Sequence, residues 1–512
     1  MVIAGTTFKT DSAKTQLGIP VDRIVWLLIA LFVINNWLLL AFLGQALSGV
    51  AAAVLGAGVG LLFMSARPVP TGTERRYVSF PALGCCFVIA VALLILGGEG
   101  RFLYANADWQ VRDAVLYDMA KNPWPFSYQI NNQELILRAP LGMYLLPAFL
   151  AKGFEGSVDL FLLASNAVML TLLMAGASAL FETKQHRLIA LVVFVAFSGI
   201  DSVGTWISAA QGKHPSADHL EFWAGRLQYS SNVTLIYWVP PHAFAGWACA
   251  LAIILYLKQQ VRLGVVMATL FLVAIWSPLA IMGAAPFAGW IGLKALVKRE
   301  VSLADVLLGV LALIVSLPAL AFLTSGSQSL HQGLHLPDNV WLFLFMEIGI
   351  WVILLAALGG AFNLGKDIFA LTLLLLCAIP FGQLGTGIDF QMRASITPLA
   401  VLCFLVAMSL CDPSGRTSIL GKALALSLLV ISSMTGLMET QRSFRYQASP
   451  TPLCNLPQVW TKQSGRIAEL ETYTTSPANL PQWLHATQWA KKVDEAAPTP
   501  SQCWSRPWFT LK

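Results

Sequence analysis

Long apolar stretches are the feature that most constrains how this 512-residue chain folds. A helix needs about 20 consecutive apolar residues to cross the hydrocarbon core of a bilayer. Hydrophobic residues make up 57% of the chain and charged residues only 11%, whereas about a quarter of a typical soluble domain is charged. The sequence therefore predicts an all-α polytopic membrane protein with about 13 transmembrane helices. The predicted spans are 21–44, 46–64, 80–98, 158–181, 187–206, 239–257, 262–276, 278–297, 302–323, 339–361, 366–381, 394–411 and 418–437.

The loops between these spans alternate in their content of Lys and Arg. If residues 1–20 form a cytoplasmic tail, the cytoplasmic loops are the richer ones, as in most membrane proteins. The transmembrane domain then covers 21–437, and residues 438–512 form an external C-terminal region. The net charge of +6 is explained by this orientation signal and does not indicate a nucleic-acid partner. The predicted external loops are 99–157, 207–238, 324–338 and 382–393.

Two cysteines, Cys454 and Cys503, lie in the C-terminal region, whereas the other six lie in or beside predicted spans. An oxidising compartment outside the membrane would favour a disulfide between them. Closing a loop of this length stabilises the fold by about 4 kcal/mol in the chain-entropy model. We therefore predict a disulfide in this region.

The first large external loop contains the stretch "NADWQVRDAVLYDMAKNPWPF", which is rich in charge for a membrane protein. Its apolar positions from Trp109 to Lys121 have helical spacing, which predicts an amphipathic helix lying on the outer membrane surface. Asp108 would lie at the start of this helix, and a role as its N-terminal cap would be enough to explain an aspartate there. The nearby Arg112 and Asp113 are not explained by a cap. Clustered carboxylates at a membrane surface can deprotonate a hydroxyl or hold a divalent cation such as Mg²⁺ or Mn²⁺ beside a phosphate.

Further polar residues fall in or beside the predicted external loops. Arg393, in "GIDFQMRASITP", could bind phosphate through two parallel hydrogen bonds or could form an ion pair with Asp389 four residues earlier. Arg138 and Arg226 are weaker phosphate candidates. His242, in "WVPPHAFAGW", could contact phosphate or pack under a loop, and Asp201, in "FSGIDSVG", is costly near a span without a partner.

Two groups of loop residues have spacings that could bind a metal ion. One group is His331 with His335, and the other is His214 with Asp218 and His219. Neither group has a complete ligand pattern, so solvated loops are the favoured interpretation.

Several of these stretches together resemble a known superfamily. An acidic motif in the first large external loop, loop helices along the membrane and an external C-terminal part resemble the GT-C superfamily of membrane glycosyltransferases. The stretches "DWQVRDAVLYDMAKNPWPF", "RAPLGMYLLPA", "FSGIDSVG", "LQYSSNVTLIYWVPPHAFAGW" and "DFQMRASI" also look similar to bacterial membrane proteins placed near these enzymes. One departure is that the acidic loop normally follows the first span, whereas here an additional hairpin of two spans, 21–64, comes first.

The resemblance implies a chemistry and a location. It implies a polyprenyl-phosphate-linked sugar donor, a glycan, glycolipid or protein acceptor, and a site on the external face of a bacterial inner membrane. Asp108 would be the base of an inverting transfer, with Asp113 the second candidate. The residues expected to bind the donor phosphate are Arg393, His242, Arg138 and Arg226. The residues expected to contact substrate are Asp201, Asp389, Trp109 and Arg112.

Three other functions remain open at this stage. A lipid-linked glycan polymerase or ligase would use similar chemistry. A transporter or flippase of lipid-linked glycans would place its charges and broken helices near the middle of the membrane and would show internal repeats. A non-catalytic membrane scaffold is the third. Intact folding with no loss of activity in an Asp108→Asn variant would support it.

Overall fold

The fold is mostly helical, as the apolar stretches predict. The computed structural model describes residues 18–67, 74–130, 132–154, 156–213, 219–326, 332–384, 387–412, 419–464, 470, 472–486, 491–494 and 503–512. The helices are α1 Val21–Phe42, α2 Gly49–Ser65, α3 Phe80–Leu96, α4 Trp109–Lys121, α5 Gly142–Gly153, α6 Val158–Ser178, α7 Lys184–Ala196, α8 Asp201–Ala210, α9 Asn232–Trp238, α10 Pro240–Leu257, α11 Leu263–Leu272, α12 Pro278–Val297, α13 Leu303–Thr324, α14 Val340–Leu344, α15 Ile350–Ala357, α16 Lys366–Ala378, α17 Asp389–Ala394, α18 Ile396–Leu410, α19 Ile419–Arg445 and α20 Leu456–Ser464. The strands are β1 Gly18–Pro20, β2 Tyr77–Ser79, β3 Phe126–Ile130, β4 Gln133–Leu137, β5 Gln332–Leu334, β6 Gly382–Leu384, β7 Thr474–Thr475 and β8 Lys491–Asp494.

Eight helices within the described ranges are long and apolar enough to cross a membrane. Every predicted span contains helix, but several of these helices are short, so the predicted count of 13 is not confirmed. Large apolar side chains such as Val297 and Leu303 point outward from the long helices and are about three-quarters exposed (75% and 74%). Outward-facing apolar side chains on long helices are expected where lipid replaces water as the solvent.

Two of the predicted spans are interrupted helices. The predicted span 187–206 is divided into α7 and α8 by the non-helical residues 197–200. The predicted span 339–361 contains one turn of π-helix, Phe345–Gly349, between α14 and α15. The two interruptions are in contact, because the N–H of Ile200 donates to the carbonyl of Met346 at 3.2 Å. Single π-helical turns occur often at functional sites.

Contacts between distant loops join those that the charge pattern assigns to the same side. On the predicted cytoplasmic side, the N–H of Val21 donates to Arg76 O at 3.0 Å, and Arg76 N–H donates to Gln260 Oε1 at 3.0 Å. On the predicted external side, Asn106 Nδ2 donates to Tyr237 O at 2.6 Å and Ala105 N–H donates to Ser449 Oγ at 2.7 Å. These contacts therefore join loops that the charge pattern assigns to one side.

The first large external loop and the C-terminal region form one layer. A four-stranded sheet has the order β7-β4-β3-β8, in which two strands come from each segment. Asp118 on α4 accepts hydrogen bonds from the N–H of Leu456 and the hydroxyl of Tyr128, both at 2.8 Å. A disulfide joins Cys454 to Cys503, which is the predicted pair.

Helix α4 does not have the exposed polar face that the predicted amphipathic helix requires. Side chains on every face of it are buried, including Asp113, Leu116 and Asp118. It packs beneath the C-terminal region and against α5, because the loop folds into a hairpin that the sequence did not predict. The charged residues of α4 are therefore partly inside the protein, where each needs a partner.

Candidate active site

Asp108 is the exposed carboxylate at the start of α4. Its side chain is 45% exposed and lies 3.5 Å from the guanidinium of Arg112, measured from Oδ2 to Nη2. The N-terminal cap predicted for it is wrong, because its side chain makes no capping hydrogen bond. Instead, the N–H of Asp108 donates to Asn106 Oδ1 at 3.0 Å. The backbone of Asp108 is therefore held in place, while its carboxylate is partly exposed beside Arg112.

Arg112 lies one helical turn below Asp108 and is largely buried, with 12% of its side chain exposed. It forms a hydrogen bond with the phenol of Tyr144 on α5. Its Nε is buried and has no hydrogen-bond partner among the described residues. An unpaired buried donor is costly and is often found where a ligand supplies the missing acceptor.

A second arginine has the same property. Arg393 on α17 forms an ion pair with Asp389, with 2.9 Å between Nη2 and Oδ1. This ion pair was one of the two predicted alternatives for Arg393, and phosphate binding was the other. The Nε of Arg393 is also buried and has no partner within the described part of the chain. The ion pair therefore uses only part of the guanidinium, and the Nε–H group remains available to bind a phosphate.

Tyr473, from the C-terminal region, lies among these groups. It interacts electrostatically with Arg112, Arg393, Asp108 and Asp389. Burial raises the pKa of its hydroxyl to about 12, although the two arginines oppose this shift. Nothing in the sequence around Tyr473 marks it as a site residue, because its position depends on the sheet between distant segments.

Arg138 lies next to Tyr473 at the end of β4. Its N–H donates to the Tyr473 carbonyl at 2.7 Å, and its Nη1 donates to the carbonyl of Leu323 at 3.2 Å. Burial lowers its pKa. These contacts give Arg138 a structural role in joining α13 to the C-terminal region.

His242 is buried at the start of α10. Its Nδ1 lies 2.9 Å from the hydroxyl oxygen of Ser277. The same oxygen accepts a hydrogen bond from the N–H of Ala280 at the start of α12. His242 interacts electrostatically with Arg393 and Arg112. It is therefore near enough to interact with both arginines, and it is held in place by its contact with Ser277.

We call Asp108, Arg112, His242, Asp389, Arg393 and Tyr473 the Asp108 cluster. It combines one exposed carboxylate with two guanidinium groups whose Nε–H groups are unused among the described residues. Such a group can take a proton from a hydroxyl while it binds an anion. No group of three or more His, Cys, Asp or Glu among the described residues could hold a metal ion.

Two predicted site residues of α4 have structural partners instead. Asp113 is buried and forms an ion pair with Arg101, with 3.0 Å between Oδ2 and Nη2. Burial raises the pKa of Asp113 to about 7, although Arg101 opposes the shift. Trp109 is buried, and its Nε1 donates to the carbonyl of Tyr237 at 2.7 Å. Neither side chain is free to contact a substrate in this arrangement.

Asp201 lies in a different place from the Asp108 cluster. It is fully buried where α8 begins, and it accepts hydrogen bonds from Ser198 and Thr435, both at 2.8 Å. Glu347, in the π-helical turn, is hydrogen-bonded to Asp201. The indole N–H of Trp223 lies 3.2 Å from Asp201 and 3.3 Å from Glu347. We call Asp201, Glu347 and Trp223 the carboxyl cluster.

Arg226 and the loop histidines also lie away from the Asp108 cluster. Arg226 lines a separate cavity that includes His335. The solvated loop predicted for His219 is wrong, because His219 is buried and its Nδ1 contacts Glu439 Oε1 at 2.5 Å. His214, Asp218 and His331 lie outside the described residues.

Comparisons with known proteins give no assignment. The chain matches no protein-family profile, no curated protein and no solved structure.

Proposed function

We propose that this protein is a membrane glycosyltransferase that moves a sugar from a polyprenyl-phosphate donor to a glycan, glycolipid or protein acceptor. One observation carries the proposal. An exposed carboxylate, Asp108, lies next to Arg112, and both interact electrostatically with Tyr473, as does Arg393, although 281 residues separate the two arginines in the sequence (393 − 112). The end of the bundle that carries this cluster is the one that the Lys and Arg pattern assigns to the outside.

The chemical step assigns each residue of the cluster a role. Asp108 takes the proton of the acceptor hydroxyl, and the hydroxyl oxygen bonds to the anomeric carbon of the donor sugar. The bond between that carbon and the phosphate oxygen breaks, and its electron pair leaves with the phosphate. Attack opposite to the leaving group inverts the anomeric carbon. Arg112 and Arg393 stabilise the charge that develops on the phosphate, and His242 donates or accepts a hydrogen bond beside them.

Substitution of Asp108 tests this proposal. The change Asp108→Asn should lower sugar transfer by roughly a hundredfold or more, which is the contribution of a positioned base. The side chain is half exposed and makes no cap, so the fold should be unaffected. Purified protein in nanodiscs would be assayed with a panel of polyprenyl-phosphate sugars and membrane glycans, with Mg²⁺, with Mn²⁺ and with EDTA.

The exposed Glu300 at the other end of the bundle supplies the matched control. Glu300→Gln makes the same chemical change and should leave transfer at the wild-type rate. If folded Asp108→Asn protein transfers sugar as fast as wild type, Asp108 is not the base. If the wild type consumes no donor at all, the enzymatic proposal fails.

A second candidate, a transporter of lipid-linked glycans, has one observation in its favour. The carboxyl cluster lies where two interrupted candidate spans meet, and interrupted helices with buried charges are typical of transporters. This candidate predicts movement of a fluorescent lipid-linked glycan between leaflets of a proteoliposome. It also predicts loss of that movement in Glu347→Gln, without any consumption of donor.

A further inference from the structure

A cavity of about 530 Å³ lies apart from the Asp108 cluster and borders the carboxyl cluster only through Trp223. Ligand sites in proteins commonly have volumes of roughly 300–1,000 Å³. Three segments line the cavity. They are Lys213 after the end of α8, residues 222–227 in the loop before α9, and residues 335–339 before α14. Buried side chains of Ser208, Trp223 and Leu227 form its deeper wall.

Basic groups dominate the charge of this cavity. Lys213, Arg226 and His335 line it, with Asp338 as the single carboxylate. Lys213 and Arg226 are exposed and form no ion pair with any described residue. The Nδ1 of His335 is buried and lacks a hydrogen-bond partner among the residues that the structure describes. Three nitrogen groups are therefore available for an anionic ligand.

The cavity lies at the end of two candidate membrane spans. The span Lys184–Ala210 ends just before Lys213, and the span Val340–Ala357 begins just after Asn339. Two tryptophans at these span ends, Trp206 and Trp341, are each 72% exposed. Tryptophan is enriched at the depth of the lipid headgroups. Both span ends beside the cavity therefore carry an exposed residue that is typical of headgroup depth.

Exposed apolar side chains lie on and next to the segment 335–339 that lines the cavity. Leu336 lines the cavity and is 77% exposed, and Leu334 on β5 is 89% exposed. Exposed apolar groups beside a polar pocket are a feature of sites for lipids and other amphiphiles. The ligand that fits both features has an anionic head and an apolar tail.

We infer that this cavity binds the phosphate-bearing headgroup of an anionic membrane lipid. The phosphate contacts Lys213, Arg226 and His335, and the lipid chain lies along Leu336 and Trp341. This inference does not depend on the proposed transferase activity, because it concerns different residues and a different pocket.

The test measures lipid binding to the full chain by native mass spectrometry in detergent. Phosphatidylglycerol, phosphatidylcholine and inorganic phosphate are titrated separately against wild type and against Lys213→Gln/Arg226→Gln. The double variant should bind phosphatidylglycerol at least about tenfold more weakly, because it loses two charged contacts. Arg445→Gln/Lys512→Gln removes two positive charges elsewhere and should bind phosphatidylglycerol as the wild type does.

A rim variant separates a lipid site from a site for a soluble anion. Leu336→Ser/Trp341→Ala should weaken binding of phosphatidylglycerol but leave binding of inorganic phosphate unchanged. Both side chains are exposed, so neither change is expected to disturb folding. Unchanged binding of phosphatidylglycerol in the Lys213→Gln/Arg226→Gln variant would overturn the inference. Inorganic phosphate bound as tightly as phosphatidylglycerol would also overturn it, because the pocket would then recognise a soluble anion.

Discussion

At the residue scale, neighbouring carboxylates in one loop have opposite environments. Asp108 is 45% exposed, whereas Asp113, five residues later, is buried and paired with Arg101. Glu99 is also buried, and its Oε1 accepts a hydrogen bond from Asn166 at 2.9 Å. Burial raises the pKa of Glu99 to about 8, although Asn166 opposes the shift. Only the exposed group suits a base that must reach a substrate, and the buried groups instead make the fold sensitive to pH.

Glu99→Gln should change how stability depends on pH. Because the pKa of Glu99 rises from 4.5 unfolded to about 8 folded, its contribution to the free energy of unfolding is fully present below pH 4.5. That contribution is lost as the pH rises through about 8, where the folded protein must bury a charge. Glutamine stays neutral and can keep the Asn166 contact, so the variant should match wild type at pH 4.5. At pH 9 the Glu99→Gln variant should be more stable than wild type by a few kcal/mol, which is the order expected for such a pKa shift.

Thermal unfolding of the two proteins in detergent across this pH range provides the measurement. Glu300→Gln changes an exposed glutamate and should show the same pH dependence as wild type. A constant difference between Glu99→Gln and wild type from pH 4.5 to pH 9 would contradict the assigned titration.

At the element scale, glycines set how closely the helices that carry the Asp108 cluster approach. A Cβ atom added to Gly283 on α12 would lie 1.8 Å from the carbonyl oxygen of Ala394 at the end of α17. A Cβ added to Gly142 on α5 would lie 2.3 Å from the ring of Trp276. The short helix α17 is therefore positioned by direct backbone contact with α12, and it carries Asp389 and Arg393 into the site.

Gly283→Ala should displace α17 and reduce activity. Crowding of a packed core typically costs 1–3 kcal/mol, so we expect about that loss of stability together with a large loss of sugar transfer. Gly289 lies on the same helix, and a Cβ atom added to it would lie in open space, so Gly289→Ala is a matched control. The control should have wild-type activity and equal or slightly higher stability, because alanine favours helix over glycine. Equal activity in the two variants would show that contact between α12 and α17 does not position Arg393.

At the scale of the whole molecule, the C-terminal region completes the site that the transmembrane domain begins. It contributes Tyr473 to the Asp108 cluster, and strands β7 and β8 to the sheet over α4. The disulfide between Cys454 and Cys503 closes a loop with a sequence separation of 49. The region is thus held to the bundle by strand pairing and to itself by a covalent link.

Removal of this disulfide should weaken both the fold and the site. Cys454→Ser/Cys503→Ser should lower the free energy of unfolding of the C-terminal region by about 4 kcal/mol in the chain-entropy model. Sugar transfer should fall with it, because Tyr473 would no longer be held beside Arg112. Limited proteolysis and the transfer assay would be compared with Cys85→Ser/Cys377→Ser, which changes two exposed free cysteines. Unchanged protease resistance and unchanged transfer in the first variant would contradict this role.

The sequence alone predicted the features that depend on local composition. The helical segments followed from runs of apolar residues, because a chain in lipid must satisfy its backbone hydrogen bonds internally. The Cys454–Cys503 pair followed from its location in the C-terminal region. Arg112, Asp389 and Arg393 were also identified as candidates from their charge beside the predicted membrane surface.

The tertiary structure decided every property that depends on distant segments meeting. It made Asp108 exposed and Asp113 buried, brought Tyr473 into the cluster, and placed Arg226 in a separate cavity. It also joined Asp201 to Glu347, which are 146 residues apart in the sequence (347 − 201). Local patterns could not show these outcomes, because burial and pairing are properties of the assembled helices and sheet. The choice among equally charged candidates therefore came from packing, which no single stretch of sequence contains.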